Sequence, residues 1–145
     1  MSRDSITRRG LLGRGQAMVE FAMIAVIAIL VLFLGIQFAL LGEAALAVGQ
    51  LAYQGARYAS INPNVASATI VTTMRTQFAS PSIASSDNNI LTISVTPDEP
   101  RAFQSTVTVS VTLDPVKKGL ILLPNPFFGI TLGPKISSTQ NAMVD

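Results

Sequence analysis

The chain has 145 residues, of which 49% are hydrophobic and only 12% are charged, against a usual charged share of about 25%. It contains no Cys, His or Trp, which excludes a thiol nucleophile, an imidazole base, a zinc site and a disulfide framework. The formal net charge of +2 is unevenly placed, since the basic residues cluster ahead of the apolar ones.

The first 15 residues carry four of the ten basic residues and only one acidic residue. Without residues 1–15, six basic and seven acidic residues remain. The arginines stand where the positive-inside rule places them beside a membrane span, so we expect no nucleic-acid-binding surface. Residues 1–15 are predicted to be a basic leader peptide on the cytoplasmic side. Its charged residues are Arg3, Asp4, Arg8, Arg9 and Arg14.

A long apolar run extends from Phe21 to Leu41 without a formal charge, and Gln37 is its only strongly polar residue. About 21 helical residues span roughly 30 Å, the thickness of a bilayer's hydrocarbon core. We predict a retained single-pass anchor in contact with membrane lipid, with its N-terminus in the cytoplasm. A cleaved signal peptide is the alternative, because Ala45-Leu46-Ala47 could serve as a cleavage triplet. The apolar region of a signal peptide is usually only about 7–15 residues long, shorter than this run.

The predicted helix continues beyond the membrane. No proline occurs from Gln16 to Ser60, and alanines enrich the second half of this stretch. The first strong stop is Asn62-Pro63, because a residue before proline is disfavoured in the helical region. Residues 16–60 are therefore predicted to be a transmembrane and stalk helix, followed by a small extracytoplasmic α+β domain over residues 61–145.

Glu20 places a carboxylate at the entrance of the apolar run. One interpretation is that it lies in the headgroup zone and contacts water, where a charge costs less than at the bilayer centre. The other is that the chain is cut after Gly15, which frees the α-amine of Gln16 one helical turn from Glu20. The carboxylate would then neutralise that amine, or the amine of the next subunit, and set the register between hydrophobic helices.

The spacing from Gly15 to Glu20, between a basic leader and an apolar helix, resembles the cleavage motif of type IV prepilins. Residues 14–22 and the stretch Ala56-Arg57-Tyr58-Ala59-Ser60 resemble the N-terminal region of TadE-like proteins, the minor pseudopilins of tight-adherence (Tad/Flp) pili. The resemblance covers about residues 14–60. It implies insertion in the lipid of a bacterial inner membrane, with the C-terminal domain in the periplasm, and processing by a prepilin peptidase. It also implies partnership with other pilins or pseudopilins and with the Tad secretion platform, and a place in the extracellular pilus after assembly. About 85 residues follow Ser60, which favours a minor component over the very short major pilins.

The outer domain is predicted to contain one short helix and about three antiparallel strands. Asn62 as N-cap and Pro63 at the first helical position predict a helix start. An apolar stripe at four-residue spacing predicts the core face of this helix, and it consists of Ala66, Ile70, Val71, Met74 and Phe78.

Alternation of apolar residues with Ser and Thr predicts strands over residues 90–96 and 106–113. A third strand is expected from Gly129 to Ser138, bent at Gly133-Pro134. The apolar face of this sheet is expected to pack on the stalk or on the second helix.

A loop from Gly119 to Gly129 is apolar but interrupted by prolines. It is interpreted either as a segment folded back onto the core or as an exposed patch that docks a partner subunit or the secretion channel. We expect partial burial, completed on assembly. The predicted partner-contact residues are Leu120, Ile121, Leu122, Leu123, Phe127 and Phe128.

The remaining charged pairs are interpreted as turns: Asp98-Glu99 as a solvated hairpin tip and Lys117-Lys118 as the turn before the apolar loop. No catalytic constellation occurs, so we expect no enzymatic activity, metal, cofactor or small-molecule substrate. The alternative function is a membrane-tethered extracytoplasmic domain that binds a surface or ligand without entering a fibre.

Overall fold

The computed structural model describes residues 4–125 and 129–144, with side chains from Gln16 onward. The chain divides into two compact units, one ending at Ile36 and one beginning at Gln37. Helix α1 (Asp4–Ile61) contributes to both. The domain boundaries predicted after residues 15 and 60 stay a prediction. In the structure, the second half of α1 packs with the sheet in one compact unit.

The first unit is helical, and its side chains from Gln16 to Ile36 are apolar with few exceptions. Most of its large hydrophobic side chains are exposed, on every face of the helix. A core helix of a water-soluble domain would bury one face, so this exposure suits a lipid environment. In the described residues, α1 is the helix that is long and apolar enough to cross a membrane.

Helix α1 ends at Ile61, as Asn62-Pro63 predicts. Asn62 Nδ2 donates to the Tyr58 carbonyl at 2.9 Å, and the Asn62 N–H donates to the same oxygen at 3.2 Å. Asn62 thus satisfies a carbonyl group at the end of α1. Its predicted role as the N-cap of the next helix is wrong. Helix α2 (Ser67–Thr73) begins five residues after Asn62, beyond a turn, and its N-cap Ala66 makes no side-chain bond.

Helix α2 continues into a π-helical turn (Met74–Phe78). Ile70 and Met74 are buried and Phe78 is half-buried, so the predicted apolar stripe is confirmed. The rings of Tyr58 and Phe78 pack edge to face with centroids 5.7 Å apart, which ties the turn to α1.

The sheet has three antiparallel strands, β1 (Leu91–Thr96), β2 (Thr106–Leu113) and β3 (Ile136–Met143), in the order β1-β2-β3. Leu113 pairs with Leu91 on one side and Ile136 on the other. The predicted α+β fold is confirmed, but the third strand lies later than expected. Gly133 adopts a left-handed φ of 80° and Pro134 lacks an N–H, so the ladder begins only after them.

The core lies between the inner face of the sheet and the helices. Every second residue of β2 is buried, as the alternation predicts. These side chains join one apolar cluster with the second half of α1 and with α2, which confirms packing on both the stalk and the second helix. From α1 the cluster takes Ala44, Val48, Leu51, Ala52, Ala56 and Ala59.

Candidate functional site

The predicted processing residues lie together near the start of the apolar segment. Gln16 Nε2 donates to Glu20 Oε1 at 3.3 Å, and both side chains are exposed. They face each other because residues four apart are neighbours on a helix. An α-amine created at residue 16 would therefore arise about one turn from the Glu20 carboxylate. The roles of Gly15, Gln16 and Glu20 in processing and register stay predictions.

Gln37 is the first residue of the second unit, and only 2% of its surface is exposed. Its Nε2 donates to the Leu120 carbonyl at 3.0 Å, and its Oε1 accepts from the Leu122 N–H at 2.7 Å. One amide thus satisfies two backbone groups of the apolar loop, which would otherwise be costly to bury. The sequence shows Gln37 as a polar interruption but gives no sign of this partner.

The apolar loop follows a single helical turn, α3 (Pro115–Lys118), which is capped by Asp114 and ends at Gly119 with φ 79°. Leu120 packs against the core, whereas Leu122 is 51% exposed. Ile130, just after the loop, is 65% exposed. Partial burial is therefore confirmed for the described residues of the loop, and its completion on assembly stays a prediction. Ile121 and Leu123 are intermediate, and the other two predicted contact residues, Phe127 and Phe128, lie outside the described residues.

Two contacts fix the far side of this loop. Asn125 Oδ1 accepts from the Leu132 N–H at 2.9 Å. A Cβ at Gly133 would overlap the end of Ile121 and would lie 3.2 Å from Pro115 Cγ. The left-handed φ of Gly133 and the lack of space both require glycine, so the chain returns to β3 closely packed against the loop.

A buried arginine, missed in the sequence, holds the turn between α1 and α2. Arg101 is 4% exposed, and its guanidinium donates to the carbonyls of Pro97 and Val65 at 3.1 and 3.0 Å and to Ser67 Oγ at 2.8 Å. The carboxylate of Glu99 accepts from the Ser67 N–H at 2.9 Å. This bond, assisted by others and by Arg101, lowers the pKa of Glu99. Glu99 is exposed between β1 and β2, as its interpretation as a solvated hairpin tip predicts, and it also caps α2.

The second half of α1 also presents an outward face. Its exposed large hydrophobic residues recur at seven- or eight-residue intervals, on the side turned away from the buried alanines. Such a stripe on a helix otherwise packed into a domain suits contact with another helix. We call it the outward stripe, and it consists of Phe38, Leu46, Tyr53 and Ile61.

No cluster of acidic side chains suited to a metal ion occurs in the part of the chain that the structure describes. The candidate functional features of the described residues are therefore exposed helix surfaces, a capped turn and an apolar loop.

The long apolar helix near the N-terminus is consistent with a membrane-anchored, pilin-like protein. Residues 15–57 match the family model of TadE-like proteins, which confirms the predicted resemblance and supports a TadE-like protein of Tad pilus systems. The match includes the Glu20 region, Gln37 and most of the outward stripe. Comparison with curated proteins and with solved structures gave no match.

Proposed function

We propose that this chain is a minor pilin-like component of a Tad pilus. The observation that carries the proposal is the apolar surface of α1, exposed on every face over residues 16–36 and along the outward stripe beyond them. The family match covers nearly the same helix. In this proposal the helix first anchors the chain in the inner membrane, with residues 1–15 cytoplasmic, and later packs against the helices of neighbouring pilins.

Processing prepares the helix for assembly. A prepilin peptidase cleaves after Gly15, which removes the basic leader and leaves a positive α-amine on Gln16. The amine of an incoming subunit pairs with the Glu20 carboxylate of its neighbour. In the low dielectric between apolar helices an unpaired charge is costly, so this pairing selects one register. The exposed position of Glu20 leaves the carboxylate accessible for that contact.

The domain from Gln37 onward then decorates the fibre or the assembly platform. TadE-like proteins are a structural family, and the proposal assigns this chain no catalytic step. Its partners are other pilins or pseudopilins and the Tad secretion platform, and it takes no cofactor.

The test is complementation of a strain that lacks the chain with a Glu20→Gln variant. Glutamine keeps the size and helix propensity of the side chain but removes the charge. Glu43→Gln is the matched control, because Glu43 is an exposed carboxylate on the same helix. We expect Glu20→Gln to be cleaved normally but to form few pili, and Glu43→Gln to form pili like the wild type.

Normal piliation with Glu20→Gln would overturn the register role. If deletion of the whole chain also leaves the pili unchanged, while the anchored domain still binds its target, the protein is a membrane tether instead of a pilus component.

A further inference from the structure

Gln37 is the first residue of the folded unit and lies near the end of the apolar run. That run extends from Phe21 to Leu41, and as a helix it spans roughly 30 Å, the thickness of the hydrocarbon core. If the run spans the bilayer, as the proposed function requires, Gln37 lies about 6 Å from its end on the side of the folded domain, close to the lipid–water boundary.

The apolar loop is bound to that residue. Both Leu120 and Leu122 hydrogen-bond the Gln37 side chain, so this part of the loop lies within a few ångströms of it. No charged residue occurs between Gly119 and Gly133. The position and composition of the loop both suit the interfacial region of a membrane.

The backbone and flanks of the loop suit the same location. The bonds from Gln37 and from Asn125 satisfy backbone groups that would be expensive to place in an apolar medium. Lys117 precedes the loop and Lys135 follows it, and both are exposed. Lysines at an interface extend their ammonium groups toward lipid phosphates.

We propose that, before assembly, residues 120–125 and 129–132 dip into the outer-leaflet interface of the membrane that the apolar run spans. Leu122 and Ile130 contact the acyl chains, and Lys117 and Lys135 contact phospholipid headgroups. These residues are thereby a second, shallow membrane contact of the chain. This inference rests on the membrane anchorage in the proposed function.

The test uses the full chain in vesicles of phosphatidylethanolamine and phosphatidylglycerol. Because the chain has no cysteine, single variants Leu122→Cys and Ile130→Cys can carry an environment-sensitive fluorophore. Phe103→Cys is the matched control, since Phe103 is an apolar loop residue 73% exposed, located before β2, whereas the apolar loop comes after it. The eight residues of β2 separate the two ends by roughly 25 Å. Ile27→Cys reports the span itself.

We expect the fluorophores at residues 122 and 130 to be quenched by nitroxide lipids labelled near the headgroup, at a depth of about 5–10 Å. The fluorophore at residue 27 should be quenched by deeply labelled lipids, and that at residue 103 by neither. Quenching at 27 without quenching at 122 and 130 overturns the inference but leaves the anchor intact. No quenching at 27 overturns the anchor itself. The fluorophores at residues 122 and 130 could instead become more shielded from water as protein density rises, without being quenched by lipids. In that case the loop contacts a second copy of the chain, which also overturns the inference.

Discussion

Gln37 Oε1 accepts a 2.7 Å hydrogen bond from the backbone N–H of Leu122, 85 positions further along the chain. The same side chain donates to the Leu120 carbonyl, so it pairs with the loop much as a neighbouring strand would. The polar residue that interrupts the apolar run is therefore part of the folded domain. This contact fixes where the domain begins on the helix.

Replacing Gln37 by Leu should destabilise the domain by about 1–3 kcal/mol, because the Leu120 carbonyl and the Leu122 N–H lose their buried partner. Gln50→Leu is the control, since Gln50 is an exposed glutamine of the same helix. Denaturant unfolding and amide exchange measure the effect. Faster exchange at the Leu122 amide in Gln37→Leu alone is the expected result, and equal exchange in both variants would show that the contact is dispensable.

Gly55→Ala should destabilise the domain, by about 1–3 kcal/mol for an overpacked core. A Cβ at Gly55 would overlap the side chain of Met74, which is fully buried, so the methionine would have to shift within the core. Gly49→Ala is the matched control, since nothing lies within 4 Å of an added Cβ there. Alanine at 49 should instead stabilise the helix, by up to about 1 kcal/mol. Thermal unfolding that shifts both variants in the same direction would contradict this packing.

Glu99 should make stability depend on acid pH. The Ser67 N–H and other donors lower the folded-state pKa of Glu99. The stabilisation of the fold by ionised Glu99 is therefore fully present above the ordinary carboxyl pKa of about 4.3. It is lost as pH falls through the lower folded value. Glu99→Gln should flatten the stability profile in this window, and Asp98→Asn should leave it unchanged. If the stability of Glu99→Gln falls with decreasing pH as steeply as that of the wild type, Glu99 does not act as a cap of α2.

Arg101→Met should destabilise the junction between α1 and α2 by about 1.5–3 kcal/mol, since it removes part-buried hydrogen bonds from a charged guanidinium to the Pro97 and Val65 carbonyls. Arg101→Lys should recover little, because an ammonium group cannot reproduce the forked guanidinium geometry. Arg57→Lys is the control on an exposed arginine. Chemical unfolding of the three variants checks the expected order of their stabilities. If lysine fully restores stability, the positive charge of Arg101 is sufficient and its guanidinium geometry is not required.

The sequence predicted the elements whose cause is local. The uninterrupted helix and its end at Asn62-Pro63 follow from composition and from proline geometry. Strand β2 follows from strict alternation, because its inner face is buried along its whole length. The Gly15–Glu20 spacing and the Ala56–Ser60 stretch were sufficient to indicate the family that the match supports.

The features that were missed depend on contacts between distant residues. Gln37, Gly55 and Arg101 acquire their roles from partners 19 or more positions away, which no local pattern shows. Strand β3 was misplaced because it is an edge strand of mostly Ser, Thr, Gln and Asn, with only half-buried inward side chains. Its alternation is therefore weak, and the apolar residues before it drew the prediction too early.

The most direct test of the proposed function is the N-terminal sequence of the chain extracted from membranes and from sheared surface fibres. The account predicts Gln16 as the first residue in both fractions, and an intact leader in a strain without prepilin peptidase activity. A chain that keeps residues 1–15 in a strain with an active peptidase, or that is absent from both fibres and assembly complexes, would contradict it.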